Sequence, residues 1–64
     1  MMIRKGMTIV SKNGSFEVMG VWWLGDNQIR FELKDLQSGA YTEVLNDYLQ
    51  DKLSLGEIQV KWWK

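Results

Sequence analysis

Residues 28–34 run Gln28-Ile29-Arg30-Phe31-Glu32-Leu33-Lys34, and polar and apolar side chains alternate without a break. An extended chain puts Ile29, Phe31 and Leu33 on one face and the four polar residues on the other. Helical spacing fails, because it would mix Ile29 with Glu32 and Leu33. The stretch predicts the central strand of a small antiparallel sheet. Weaker alternation predicts further strands over residues 7–11 (Met7 and Ile9 inward) and 15–24 (Phe16 and Val18 inward). A short strand is expected over 40–44, and a last one over 57–64 with Ile58, Val60 and Trp62 inward. Gly20 interrupts the second strand, where a bulge or bend is expected. Trp22 and Trp23 are adjacent and must face opposite sides, so one is expected buried and one exposed. The register across Gly20 decides which.

Punctuation between these runs is clear. Asn13-Gly14 predicts a type I′ hairpin turn, Gly25-Asp26-Asn27 a second turn, and residues 35–39 a loop with Gly39 at a special φ. Asn13-Gly14-Ser15 also fits the glycosylation acceptor pattern, but no secretory signal accompanies it, so the turn reading is preferred. Leu45, Leu49 and Leu53 recur at four-residue spacing and predict about two helical turns over 46–54. Asn46 is the expected N-cap, Asp47 suits the positive end of the helix, and Gly56 is the expected stop. Residues 1–6 form a lead-in arm. The expected core is Ile9, Phe16, Val18, Ile29, Phe31, Leu33, Leu49, Leu53, Ile58, Val60 and Trp62.

Composition narrows what such a chain can do. Sixty-four residues make one domain, 1–64. A chain of that size hides only about 60% of its unfolded surface. There is no Cys and no His, which removes disulfides, Cys/His zinc sites and the commonest general base. Asp47 and Asp51 lie four apart on the expected helix and form a pair of carboxylates, a type that can hold a metal or share a proton; beside Lys52 a solvated face is the plainer reading. The Gly25-Asp26-Asn27 turn lacks the further carboxylates of a calcium loop. Triad, phosphate-loop and dinucleotide patterns are absent. The expectation is a non-enzymatic protein with no cofactor and no metal. No apolar run approaches the ~20 residues of a membrane span and no signal pattern opens the chain, so a cytoplasmic protein without a membrane role is expected.

Five strands joined by tight hairpins, with a short helix before the fifth, make a mainly β chain on the plan of an SH3-like antiparallel barrel. More narrowly, Lys5-Gly6-Met7, Phe16-Glu17-Val18, the 29–34 strand, Ser38-Gly39, and Leu49 through Leu53 to Gly56-Glu57-Ile58 resemble small β-barrel regions of Mu-type transposases. Short phage proteins of the same layout look similar. The resemblance rests on turn glycines and hydrophobic spacing over most of the chain. A transposase's catalytic acids have no counterpart here. The resemblance therefore implies only a binding role in a phage or mobile element, and it carries over no individual residue.

Acidic and basic residues balance at eight each, which argues against binding nucleic acid by bulk charge. Their placement is uneven. In the expected barrel the first and last strands pair antiparallel, which would gather Arg4, Lys5, Lys61 and Lys64 around an outward Trp63. Residues 35–60 meanwhile hold Asp35, Glu43, Asp47, Asp51 and Glu57 against Lys52 alone. Basic residues interleaved with an exposed aromatic suit DNA or RNA, through charge and base stacking. Two other readings of the same surface stand beside this one. Terminal lysines and an outward Trp can serve only solubility and edge protection. Alternatively, Met19, Trp22, Trp23 and Trp63 offer an apolar surface for a protein partner or for self-association.

Overall fold

The structure, a computed structural model, describes residues 2–26 and 28–62. Strands β1 (Thr8–Ser11), β2 (Gly14–Gly25), β3 (Gln28–Asp35), β4 (Tyr41–Leu45) and β5 (Ile58–Lys61) form one antiparallel sheet, with helix α1 (Asn46–Ser54) before β5. Their order across the sheet is β4-β3-β2-β1-β5. The predicted alternation of residues 28–34 is the strand β3, and it pairs on both sides. Val18 lies opposite Leu33, Val21 opposite Phe31, and Phe31 opposite Val44. The sheet bends but does not close, because β4 and β5 form no ladder.

The core lies on the face that α1 covers. Ile9, Val18, Phe31, Leu33 and Leu49 are buried there, with Phe16, Ile29, Leu53, Ile58 and Val60 packed partly buried against them. Two further members come from outside the expected set of core side chains: Ile3, from the supposed lead-in arm, and Met7. The arm is tied to the sheet, since Gly6 N–H donates to the Val18 carbonyl at 2.9 Å and Val18 N–H to that of Met7 at 2.9 Å. Trp62, expected in the core, is instead 62% exposed. It lies one residue past the end of β5, where no further strand covers it.

The bulge in β2 falls at Met19, between the pairs Val18–Leu33 and Gly20–Glu32. It carries the inward phase from Phe16 and Val18 across to Val21 and Trp23. Trp22 and Trp23 do take opposite faces, but neither is buried: they are 42% and 74% exposed. At this level β2 has left β1 behind and pairs with β3 alone, and the β3–β4 ladder ends at Arg30–Leu45, so Trp22 stands at the margin of the sheet and Trp23 beyond it, with little cover for an indole on either face.

Local chemistry explains the ends. The first hairpin closes on Ser11–Gly14, so Lys12 and Asn13 are its loop residues. Gly14 takes φ 134° while Asn13 keeps a negative φ, so the turn is not type I′ as the Asn-Gly pair suggested. Ser11 Oγ stabilises it, donating to the Gly14 carbonyl and accepting from Asn13 N–H. Asp35 Oδ1 accepts from the Gln37 and Ser38 N–H groups, which turns the chain toward β4. Leu45, not Asn46, occupies the N-cap, without a side-chain cap bond. Asn46 is already helical, and its Oδ1 accepts from Gln50 Nε2 one turn on. At the other end Gly56 N–H donates to Leu53 and Glu57 N–H to Lys52, a Schellman stop.

Candidate basic and aromatic surface

Pairing of the two terminal strands builds this surface. Thr8 lies opposite Lys61 and Ser11 opposite Ile58, so the start of β1 meets the end of β5. Just before β1 the chain makes a tight turn over residues 4–7. Met7 N–H donates to the Arg4 carbonyl at 3.2 Å, and Arg4 N–H reaches Met7 Sδ at 3.3 Å. Met7 is buried, so the turn is anchored from below while Arg4 and Lys5 project outward. Gly6 completes it with φ 94°, a conformation that side chains rarely adopt. The Trp62 ring lies over this glycine: its Cζ3 is 3.9 Å from the place a Cβ would take.

Arg4, Lys5, half-buried Lys61 and exposed Trp62 thus meet at one corner. Among the described residues Arg4 and Lys5 form no ion pair, whereas Arg30 pairs with Glu43 at 3.7 Å and Lys52 with Glu57 at 3.0 Å. The expected members Trp63 and Lys64 lie outside the described residues. Trp62, which strand alternation assigned to the interior, is the aromatic that the structure places here. Its proximity to Gly6 joins residues 56 positions apart, and only the β1–β5 ladder creates it. The sequence signal was the run Lys61-Trp62-Trp63-Lys64 itself, an aromatic pair bracketed by cations.

The residues of the alternative surface are dispersed. Met19 is the half-buried bulge residue, and Trp22 and Trp23 occupy opposite faces of the β2–β3 ribbon. Trp22 covers Gly20, whose added Cβ would sit 2.6 Å from the indole Cη2. The Arg30 guanidinium stacks over the same indole at 5.7 Å from its centre. That stack and the Glu43 carboxylate hold Arg30, whose Nε is buried without a partner. Asp47 and Asp51 are both exposed on α1. Among the described residues no helix is long and apolar enough to cross a membrane. Comparison of the chain with protein-family models, with curated proteins and with solved structures finds no match.

Proposed function

We propose that this chain is a small non-enzymatic binding module that takes a nucleic-acid strand across Arg4, Lys5, Lys61 and Trp62. One observation carries the reading: an indole 62% exposed rests on the very turn that projects Arg4 and Lys5. Arg4 and Lys5 are adjacent and exposed in one turn, so their like charges repel, and a bound phosphate relieves that repulsion. The exposed indole supplies a stacking face for a base. Trp63 and Lys64, which follow directly in the chain, are included in the proposed surface. The SH3-like barrel and the phage or mobile-element setting in the cytoplasm belong to this proposal. The strand order and the helix before β5 support the barrel plan.

Fluorescence anisotropy with labelled single-stranded DNA, duplex DNA and RNA tests it. Affinity should fall steeply as salt rises from ~50 mM, and Lys61→Glu should weaken binding and flatten the salt slope. Trp62→Ala should cost about 1–3 kcal/mol of binding if a base stacks there. No binding at low salt, or unchanged affinity in both variants, would sink the reading. The protein-partner alternative draws on Trp23, 74% exposed at the ribbon tip. It expects a partner whose binding ignores salt and Lys61 and depends on Trp22 or Trp23.

A further inference from the structure

The interval between the sheet's two edges is a second built feature, remote from the basic corner. No Cα of β4 comes within 8 Å of one in β5, and α1 leaves the end of β4 and packs against both strands. In this interval, bounded by β4, α1, the first hairpin and the start of β5, lies a cleft of about 610 Å³. Its floor includes Phe16, Leu33 and Leu49, Thr42 and Val44 form the β4 wall, and Tyr48 and Lys52 stand on the helix side.

Backbone register says what the β4 edge offers. Asp35 N–H donates to the Ala40 carbonyl at 2.8 Å, which fixes the alternation of the β3–β4 ladder. In an antiparallel pair, residues two apart point their backbone groups the same way. Ala40, Thr42 and Val44 therefore bond toward β3, and Tyr41 and Glu43 present N–H and C=O to the free edge. The side chains obey the opposite rule to a partner's advantage: Thr42 and Val44 line the cleft while Tyr41 and Glu43 stay outside.

Charge marks one end. β4 begins beside the first hairpin, since Leu36 N–H donates to the Ser15 carbonyl and Phe16 lies opposite Asp35. Lys12 lines the cleft at that end and forms no ion pair among the described residues. Lys52 is already held by Glu57 at 3.0 Å. An uncompensated cation at the rim of an apolar cleft complements a carboxylate.

We propose that the β4 edge and this cleft take an extended peptide, antiparallel to β4, with apolar side chains at alternate positions and a carboxylate at its C-terminal end. Its backbone exchanges hydrogen bonds with Tyr41 and Glu43, its alternate side chains enter the cleft, and its carboxylate meets Lys12. An antiparallel peptide necessarily ends where β4 begins, which is the Lys12 end.

The full chain, labelled with nitrogen-15, is titrated with an acetylated hexapeptide of alternating threonine and valine ending in a free carboxylate. Saturable amide shifts are expected at Tyr41 and Glu43. N-methylation of the peptide nitrogens that face β4 should weaken binding about tenfold, because it removes donors and leaves buried acceptors unmet. Amidation of the C-terminus, or Lys12→Gln, should each cost about threefold, and the two together no more than one alone. Circular dichroism confirms that the Lys12 variant is folded. An absence of saturable shifts at Tyr41 and Glu43, or equal affinity for the N-methylated peptide, overturns the proposal. So does concentration-dependent broadening along β4 without peptide, which would show that a second copy takes the edge.

Discussion

Phe31 and Trp62 occupy equivalent places in the sequence pattern, each an apolar residue at an inward position of an alternating run, yet one is 1% exposed and the other 62%. Phe31 sits in the third strand with Val21 on one side and Val44 on the other, and the helix packs over that face. Trp62 follows the last paired residue of an edge strand, with its ring over the Gly6 turn. Alternation sets which face a side chain takes. Neighbours on both sides decide whether that face is covered.

The largest test of this contrast is Phe31→Ala, which should cost about 3–5 kcal/mol in a urea titration. Measured against a typical total of about 5–15 kcal/mol, that loss can unfold so small a domain. Gly6→Ala comes next, at about 1–2 kcal/mol, the cost of a left-handed backbone in a residue with a Cβ. Ordinary van der Waals space exists for that methyl beside Trp62, so the loss should survive in a Trp62→Ala background. If removing Trp62 abolishes it, the ring and not the backbone sets the constraint. Trp62→Ala alone should change stability by no more than about 0.5 kcal/mol while impairing ligand binding. A loss of stability as large as that of Phe31→Ala would erase the distinction between the two sites.

The smallest expected effect is at Lys52. Hydrogen bonding to Glu57, then the Glu57 charge, raise its ammonium above the ordinary 10.5. A raised folded-state value gives stability that is present below the unfolded value and lost as pH rises through the folded one. Any such contribution is therefore constant at neutral pH and disappears only above pH 10.5. Because the group is solvent-exposed, Lys52→Met should leave the neutral-pH urea midpoint unchanged within error. A clear shift in that midpoint would show that the helix-to-β5 junction depends on this pair.

Much of the fold was legible because its signals are local. The 28–34 strand, the helix over 46–54 and its glycine stop all follow from periodicity and turn chemistry within a few residues. The helix bounds match, but the N-cap is Leu45 and not Asn46, whose side chain accepts from Gln50 within the helix, a choice propensity does not reveal. Ile3 escaped notice because the short apolar run Met1-Met2-Ile3 does not alternate and so assigns no residue to a face. At the candidate surface, Arg4, Lys5 and Lys61 were readable once the terminal strands were expected to pair. Trp62 was not, since its exposure depends on where the last ladder ends.

The sequence by itself determined the strands, the central helix and the faces of most core side chains, because hydrogen-bond period and side-chain period are properties of a short segment. Tertiary structure alone decided burial at the margins. The open interval between β4 and β5, the exposure of both Trp22 and Trp23, and the seat of Trp62 on Gly6 each depend on which distant segment arrives as a neighbour. That is a matter of strand length and sheet closure, and no local pattern encodes it.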